Sequence, residues 1–348
     1  MNLDDLLAQT CPWLLGNGEE NDIVISSRIR LARNLVGFPF PTRATEQDRR
    51  LVRDVVQHAA AELFDEKDYL FVNIQTLPPL DRECLLERQL ISRELVETER
   101  IHAAIIDRQE RFCVMVNEED HLRLHATASG LAPQKIWEQV DKIDDQFAGK
   151  LDYVFHKKYG FLTSCVTNAG TGMRISMMLH LPALIAINEM EKVLRSLQKA
   201  NLTVRGLYGE GSQILGDLYQ ISNRVTLGSS ETEMIVKMTD LIPQVVAYER
   251  QAREFLVKNR REIILDRCSR ALGALRTART IGSVETIHHL SSLRLGIHTG
   301  LLDDVDISAV NLLFLRTQPA HIQRIQGADA SQADQDIVRA SYIRQVLG

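Results

Sequence analysis

Two arginines near the start of the sequence have a spacing that suits an anionic ligand. Arg28 and Arg30 lie in the run Ser-Ser-Arg-Ile-Arg-Leu-Ala-Arg-Asn of residues 26–34. Residues two apart on a β-strand face the same side of its sheet, so both guanidinium groups would point one way. Paired guanidinium groups suit a polyphosphate, because each can donate two hydrogen bonds to phosphate oxygens. By spacing alone, an ordinary solvated strand face is the commoner explanation.

A second segment, Val-Asn-Glu-Glu-Asp-His-Leu-Arg at residues 116–123, has three consecutive acids before a strand that carries Arg123. Such a run is either a solvated turn or a set of carboxylates at a sheet edge. His121 and His125 are four residues apart. At ~3.3 Å per residue on a strand they would lie ~13 Å apart, which excludes a shared metal ion.

Two further segments join glycines to charged residues. Residues 163–174 run from a predicted strand through Cys165 and a Gly-Thr-Gly loop to Arg174. Glycine permits close approach of backbone to phosphate, although no Gly-Lys-Ser/Thr of a P-loop follows. Residues 204–211 carry three glycines with Arg205 and Glu210. Without such a role, the Gly-Thr-Gly loop would be a simple turn, Cys165 would be a buried structural thiol, and residues 204–211 would form a flexible hairpin tip.

Taken together, the four segments predict phosphoryl transfer from a nucleotide to a cationic acceptor. The arginines would offset the negative charge of the nucleotide phosphates. The carboxylates could bind a guanidinium group through two parallel hydrogen bonds.

The elements that position these residues follow from the hydrophobic pattern. We predict strands at 23–31, 112–116, 122–127, 161–167, 201–208 and 218–227. Helices are predicted from Thr45 to about Phe64, from Pro182 to about Ala200, and from a Ser230/Glu233 capping box onward. The strands lack βαβ alternation, which favours an α+β fold with an antiparallel sheet. We expect a catalytic domain at 1–230 and an all-helical domain at 231–348.

Composition limits the class of protein. The formal net charge is −5, which argues against a dedicated nucleic-acid-binding protein. No apolar run suits a membrane span or a signal peptide, so we expect a cytoplasmic protein without membrane contact. The five cysteines are far apart, an odd number that argues against a disulfide framework or a structural zinc site.

The four segments resemble the signatures of the ATP:guanido phosphotransferase family, which includes creatine and arginine kinases. Asn-Glu-Glu-Asp-His-Leu-Arg, Cys-x-Thr-Asn-x-Gly-Thr-x-x-Arg and Arg-Gly-x-x-Gly-Glu occur in order within residues 23–230. The helical domain that precedes the catalytic domain in the small-molecule kinases has no counterpart here. A helical C-terminal domain is similar to that of the bacterial protein arginine kinases, and the similarity extends along the whole chain.

This resemblance implies a protein-arginine kinase that uses ATP and Mg²⁺ and marks proteins for regulated degradation in the stress response. It implies catalytic roles for Glu119, Glu210 and Cys165. The implied ATP-binding residues are Ser26, Ser27, Arg28, Ile29, Arg30, Gln89, Arg123, Arg174, Ile175, Ser176, Met177, Met178, Arg205, Gly206, Leu207, Tyr208, Gly209 and Glu210. Gln89 stands where protein arginine kinases often carry a histidine that contacts the nucleotide.

The resemblance also implies a regulatory phosphoarginine pocket and several partners. The matching motif is Gln335, Asp336, Arg339 and Ala340, with Gln335 in place of the usual arginine. The implied partners are protein substrates with exposed arginines, an McsA-type activator, the CtsR repressor, the ClpC–ClpP protease and a second copy of the chain in a homodimer. The alternatives are a phosphagen kinase acting on free arginine or a related small guanidine, and an inactive phosphoarginine-binding adaptor.

Overall fold

The computed structural model describes residues 3–206, 214–327 and 331–348. The strands are β1 (Val24–Arg33), β2 (Tyr69–Asn73), β3 (Ala103–Asp107), β4 (Phe112–Val116), β5 (Leu122–Ser129), β6 (Phe155–His156), β7 (Gly160–Phe161), β8 (Met173–His180), β9 (Leu202–Arg205) and β10 (Leu218–Asn223). The helices are α1 (Leu3–Ala8), α2 (Glu46–Leu63), α3 (Pro79–Glu87), α4 (Arg93–Glu97), α5 (Pro133–Ala148), α6 (Pro182–Ala186), α7 (Met190–Lys199), α8 (Glu231–Asn259), α9 (Arg261–Thr277), α10 (Ser283–His298), α11 (Ile307–Arg316), α12 (Pro319–Gln326) and α13 (Gln332–Leu347).

Eight of these strands form one antiparallel sheet in the order β2-β3-β4-β5-β1-β8-β10-β9. The long strand β1 lies between β5 and β8, and its Arg30 is opposite His125 on one side and Arg174 on the other. The predicted α+β fold, with an antiparallel sheet followed by helices, is confirmed.

The alternation of residue types along the strands gives the sheet two different faces. Ile29, Leu124 and Ile175 belong to the larger core, together with buried residues of α2, α5 and α8. Slipping any of these strands by one residue would turn the arginines into that core and the apolar side chains out of it. The apolar face therefore fixes which side of the sheet carries the charged residues.

Both capping residues predicted from the sequence lie at the N-termini of the helices that they predict. The Thr45 side chain accepts from Asp48 N–H at the start of α2, and the Ser230 side chain accepts from Glu233 N–H at the start of α8. Each cap satisfies backbone donors that the first helical turn would otherwise leave free.

The single helix predicted from Pro182 to about Ala200 is wrong, because the chain forms α6 and α7 with a break between them. Asn188 lies in the break with a φ of 59°, a left-handed conformation that interrupts helical hydrogen bonding. The Glu249 carboxylate accepts from the N–H groups of Ala183 and Leu184, and so fixes the start of α6 against α8.

The strand predicted at 161–167 is also wrong beyond its first residue. The extended pairing ends at Phe161, and Val166–Asn168 form a single turn of 3₁₀ helix. In between, Ser164 N–H donates to the Asp120 carboxylate at 2.7 Å rather than to a neighbouring strand. The Asp120 side chain, from a distant turn, thus accepts the hydrogen bond that this N–H would otherwise donate to a neighbouring strand.

The C-terminal helices share a second core with the sheet. Leu290 of α10, Leu313 of α11 and Ile343 of α13 cluster with Ile25 and Met178 of β1 and β8. The helical region is therefore packed directly against the sheet that carries the site. No helix within the described residues has the length and apolar composition to cross a membrane.

Candidate active site

A cavity of about 490 Å³ lies on the charged face of the sheet, where β1, β5, β8, β9 and β10 meet four irregular segments. The cavity is lined by Arg28, Arg30, Leu86, Gln89, Ile91, Ser92, Arg93, Glu119, Arg123, Cys165, Thr167, Asn168, Arg174, Thr203, Arg205, Gln220, Asn223, Arg224 and Thr226.

All five arginines singled out in the sequence lie in the wall of this cavity. Arg28 and Arg30 come from β1, and the other three come one each from β5, β8 and β9. Arg174 lies directly across the strand pair from Arg30. The antiparallel register thus concentrates positive charge from four strands on one surface.

Burial makes this concentration of charge unfavourable until an anion binds. Burial, reinforced by the Arg123 guanidinium, lowers the pKa of Arg28 to about 10. Burial and the neighbouring arginines hold the pKa of Arg30 well below its usual value. The Nε atoms of Arg28 and Arg30 are buried and have no hydrogen-bond partner in the described part of the chain. These unpartnered donors suit a polyphosphate, whose oxygens would satisfy them and whose charge would offset theirs.

Glu118 and Arg123 form a buried ion pair at the back of the cavity. Arg123 donates to a Glu118 carboxylate oxygen. Although burial opposes it, the Arg123 guanidinium lowers the pKa of Glu118. Glu118 therefore positions Arg123 and stays ionised, and the next residue of the turn faces the cavity instead.

That residue, Glu119, is half-buried and has the properties of a proton acceptor. Burial raises its pKa against the lowering effect of the Arg123 guanidinium, and the nearby carboxylates of Asp120 and Glu118 add to the rise. The Asn168 side-chain amide donates to Glu119 Oε2 at 3.1 Å and orients the carboxylate. A raised pKa strengthens a carboxylate as a general base near neutral pH.

Asp120 ties this acidic turn to the loop that carries Cys165. Its Oδ1 accepts from Asn34 Nδ2 at 2.6 Å and from Ser164 N–H at 2.7 Å. Cys165 is partly exposed, lines the cavity and places its Sγ 2.9 Å from Thr167 Oγ1. Asp120 and Asn34, which do not line the cavity, thus join the turn that carries Glu119 to the loop that carries Cys165.

Glycine is required where this loop meets β1. Gly172 has a φ of 64°, and a Cβ atom there would lie 2.6 Å from the backbone oxygen of Ala32. Any other residue would push the loop away from the strand that carries Arg28 and Arg30.

Comparison with known proteins agrees with this arrangement. A family model described as the C-terminal catalytic domain of ATP:guanido phosphotransferases matches residues 51–252. A second, described as the protein-arginine kinase McsB C-terminal domain, matches residues 261–348. The protein-arginine kinase of Halothermothrix orenii is 41% identical over 348 residues, which cover 100% of this chain and 99% of the relative.

The protein-arginine kinase of Pelotomaculum thermopropionicum is 41% identical over 338 residues, covering 96% of this chain and 94% of that one. The chain belongs to the protein-arginine kinase family. The crystal structure of lombricine kinase superimposes with a TM-score of 0.60 at 24% identity, over 70% of this chain and 71% of that one, and shows the shared guanido-kinase fold.

Gln89, one of the predicted nucleotide-binding residues, lies in the cavity wall with Leu86 and Ile91. Its φ is 62°, a conformation uncommon for a residue other than glycine. Its N–H donates to Leu86 O at 2.8 Å, in a tight turn that follows α3. The structure thus places Gln89 beside the arginines.

Several predicted nucleotide-binding residues do not line the cavity. Ile29, Ile175 and Met177 are buried in the larger core on the opposite face of the sheet, and Met178 belongs to the second core. Ile29, Ile175 and Met177 alternate with the arginines along β1 and β8, whereas Met178 shares the face of Arg174 but is covered by the second core.

The predicted serines also lie outside the cavity lining. Ser27 donates to Gly130 O at 2.7 Å and accepts from Ala132 N–H, so it joins β1 to the start of α5. Ser26 and Ser176 are buried, and Ser176 Oγ is 3.5 Å from the side-chain amide of Gln220. Gly206 follows β9, while the predicted Leu207, Tyr208, Gly209 and Glu210 fall outside the described residues.

The sequence did not point to several residues that the structure adds to the cavity. Arg93 starts α4, and Arg224 follows β10. Thr203 precedes Arg205 by two positions and Gln220 pairs with Arg205 across β9 and β10. The period of two along β9 could have identified Thr203, whereas nothing local distinguishes Arg93 or Arg224 from other exposed arginines.

His121, at the end of the acidic turn, makes the stability of the protein dependent on pH. Its Nδ1 accepts from Leu35 N–H at 3.0 Å and its Nε2 lies 2.9 Å from Pro39 O, so the ring is held neutral. Burial lowers its pKa from 6.5 to about 4. Burial likewise lowers the pKa of His102 to about 4.

When folding lowers the pKa of a histidine, the free energy of unfolding has its full value above pH 6.5. It decreases as the pH falls towards 4, because the unfolded state then binds a proton that the folded state does not. We expect each of His121 and His102 to remove about 1.4 kcal/mol from the free energy of unfolding per pH unit in this window. Urea unfolding between pH 7 and pH 5 would measure this slope, which should be smaller in His121→Asn. A slope unchanged by that substitution would contradict the assignment.

Proposed function

We propose that this protein transfers the γ-phosphoryl group of Mg-ATP to the guanidinium group of arginine side chains in other proteins. The observation that supports the proposal most is the placement of Glu119, with its raised pKa, in the wall of a cavity that also holds the five buried or partly buried arginines. One cavity therefore carries both the charge needed for a nucleotide and a carboxylate for a guanidinium acceptor.

In the proposed mechanism the arginines bind the phosphates. Arg28 and Arg30 would donate their unpartnered Nε–H groups, and Arg123, Arg174 and Arg205 would add further charge around the same oxygens. Negative charge spreads over the transferring phosphoryl group in a loose transition state, so donors fixed in advance lower its free energy. The sheet supplies this fixation, because four of its strands carry the five side chains.

The acceptor guanidinium would be held by Glu119, with Glu210 as the proposed second carboxylate. A nitrogen of the guanidinium attacks the γ-phosphorus, the bond to the bridging oxygen of ADP breaks, and Glu119 takes a proton from the attacking nitrogen. The carboxylate also fixes the plane of the guanidinium, which aligns the nitrogen with the phosphorus. Cys165 lines the same cavity, and its sulfur would face the bound guanidinium.

Magnesium enters this mechanism as part of the nucleotide substrate. No group of three or more His, Cys, Asp or Glu side chains that could hold a metal ion occurs in residues 3–206, 214–327 and 331–348. Mg²⁺ would enter with the nucleotide and, together with the arginines, offset the negative charge of the phosphates.

The choice between a protein and a free small guanidine as acceptor can be tested by kinetics. Free arginine lacks the neighbouring residues whose binding energy could be used in the transition state. We expect kcat/KM for an unfolded arginine-containing protein to exceed that for free arginine by about 100-fold, or about 2.7 kcal/mol. Equal values would favour the phosphagen-kinase alternative, and no transfer to either would favour the inactive adaptor.

We further propose the cellular setting that such an activity implies. The products would be marked for a ClpC–ClpP protease in the stress response, in the cytoplasm, with CtsR among the substrates and an McsA-type protein as activator. The catalytic part would comprise residues 1–230, and the helices of 231–348 would mediate regulation and homodimer formation.

In the proposed regulatory pocket around Gln335 and Arg339, most of the Arg339 hydrogen-bond donors are already bonded to other groups of the protein. Arg339 is fully buried and donates to Thr317 O at 2.8 Å, to Ile281 O at 2.9 Å and to the Asp336 carboxylate. Its Nη2 is buried and has no hydrogen-bond partner among the residues described. Ala340 is buried in the second core beneath it.

We expect free phosphoarginine to bind this pocket weakly, because Gln335 offers only a neutral amide where a second guanidinium would form a bidentate pair. Gln335→Arg should tighten binding about 10-fold, as one charge-assisted contact is worth about 1.5–3 kcal/mol. Calorimetry on a Glu119→Gln background would measure it. Gln345→Arg, an exposed change on the same helix, is the control, and equal tightening by both variants would show that the motif is not the pocket.

A further inference from the structure

Five large apolar side chains are exposed on one side of the cavity mouth. Their exposed fractions are 59% for Phe155, 45% for Tyr159, 84% for Val166, 46% for Val225 and 48% for Leu227. We name these five residues the apolar rim. Contiguous exposed apolar surface on a soluble protein commonly marks a site of interaction with a partner.

The three segments that carry the apolar rim are joined to one another by hydrogen bonds. Gly170 exchanges backbone hydrogen bonds with Phe161, at 2.8 and 3.2 Å, which connects the β6–β7 hairpin to the Cys165 loop. Thr226 Oγ1 donates to Thr167 O at 2.8 Å and to Ala169 O at 2.7 Å, which connects that loop to the segment after β10.

The apolar rim is continuous with the active cavity. Cys165 and Thr167 line the cavity, whereas Val166 between them is exposed; Arg224 and Thr226 line it, whereas Val225 is exposed. In both segments, side chains that line the cavity thus alternate with side chains that belong to the apolar rim. Because Asn168, two residues after Val166, donates to Glu119, we expect a polypeptide whose arginine reaches Glu119 to pass beside the rim.

Basic side chains stand next to members of the apolar rim, although the chain as a whole has a formal net charge of −5. The hairpin tip carries exposed Lys157 and Lys158, and exposed Arg224 follows β10. Lys158 Nζ lies 5.3 Å from the centre of the Tyr159 ring. This charge favours an acidic side chain on the bound segment and disfavours a basic one.

We propose that the apolar rim binds the polypeptide next to the acceptor arginine, and that it selects arginines flanked by a large apolar residue and an acidic residue. This inference rests on the proposed function, since it needs a polypeptide acceptor. It adds a sequence preference that the phosphoryl-transfer chemistry alone does not impose.

Two peptides of equal length test the proposal, one with leucine and aspartate beside a central arginine and one with glycine and serine there. The full-length wild-type protein should show a kcat/KM at least about 10-fold higher for the Leu/Asp peptide, the effect of one well-placed contact of about 1.4 kcal/mol. In Phe155→Ser/Leu227→Ser this ratio should fall towards one, with kcat/KM for the Gly/Ser peptide unchanged. Phe255→Ser, a similarly exposed phenylalanine on α8, is the control and should keep the ratio.

A charge reversal tests the basic part without depending on loss of activity. Lys157→Glu/Lys158→Glu should shift the preference from the Leu/Asp peptide to a Leu/Lys peptide, a gain that misfolding cannot imitate. Wild-type phosphorylation of both original peptides at equal kcat/KM would overturn the rim proposal and leave the proposed function intact. Phosphorylation of neither would overturn both. Light scattering that shows the Phe155→Ser/Leu227→Ser variant dissociating from dimer to monomer, with an unchanged ratio, would identify the rim as a contact between copies and overturn the proposal.

Discussion

Glu119→Gln should reduce the rate of phosphoarginine formation by about 1,000-fold, within the range that a positioned general base contributes. The amide keeps the size of the side chain and can still accept from Asn168, but it can neither take a proton from the acceptor nor attract its charge. Nucleotide affinity should change little, because the phosphates are held by the arginines. Single-turnover kinetics with Mg-ATP and calorimetry with a non-hydrolysable nucleotide would measure the two quantities.

Glu254→Gln is the matched control, since Glu254 is an exposed glutamate on α8, outside the cavity lining. It should behave like the wild type in both measurements. Near-normal phosphoarginine formation by Glu119→Gln would show that another group accepts the proton.

Arg30→Met should have two opposite effects, each large. It should weaken nucleotide binding by about 10- to 100-fold, because a hydrogen bond to a charged group contributes about 1.5–3 kcal/mol. It should also raise the melting temperature without nucleotide. Burial and the repulsion of Arg28, Arg123 and Arg174 make the Arg30 charge costly, as the lowered pKa shows, and methionine removes that charge at similar volume.

Differential scanning calorimetry with and without nucleotide would test both effects. Nucleotide should raise the melting temperature of the wild type more than that of Arg30→Met. Arg43→Met, which removes an exposed arginine, should change neither value. A destabilised Arg30→Met with unchanged nucleotide affinity would mean that Arg30 is structural.

The parts of the fold that the sequence predicts are those governed by local chemistry. The alternation of β1 and β5 gives both the strands and the face that carries Arg28, Arg30 and Arg123, because side chains on a strand alternate strictly. The caps at Thr45 and Ser230 predict helix starts to the residue, since the donors they satisfy are two or three positions away.

The parts that the sequence does not predict depend on contacts from far along the chain. Asp120 holds residues 162–165 away from a sheet ladder, although the segment Phe-Leu-Thr-Ser-Cys-Val-Thr has a strong β-propensity. Glu249 fixes α6 from more than sixty positions away in the sequence. Neither contact leaves a signal in the segment that it shapes.

The same distinction applies to the cavity. Arg28 and Arg30 are predictable because they lie two apart on a predicted strand, and Arg174 because it ends a motif, whereas the strand β8 that carries Arg174 is not among the predicted strands. Arg93 and Arg224 reach the cavity only because α4 and the segment after β10 fold over its edge. The raised pKa of Glu119 depends on its burial in the folded protein. The acidic run alone does not show which of its three carboxylates faces the cavity.

The central claim is that the phosphoryl group of ATP is transferred to a nitrogen of arginine side chains through the cavity that contains Glu119. Tandem mass spectrometry of an unfolded protein substrate, incubated with Mg-ATP and kept free of acid to preserve the P–N bond, tests it most directly. The account predicts phosphate on arginine residues with the wild type and a nearly complete loss with Glu119→Gln. Phosphate on serine, threonine or histidine instead, or on arginine at equal levels with both proteins, would contradict it.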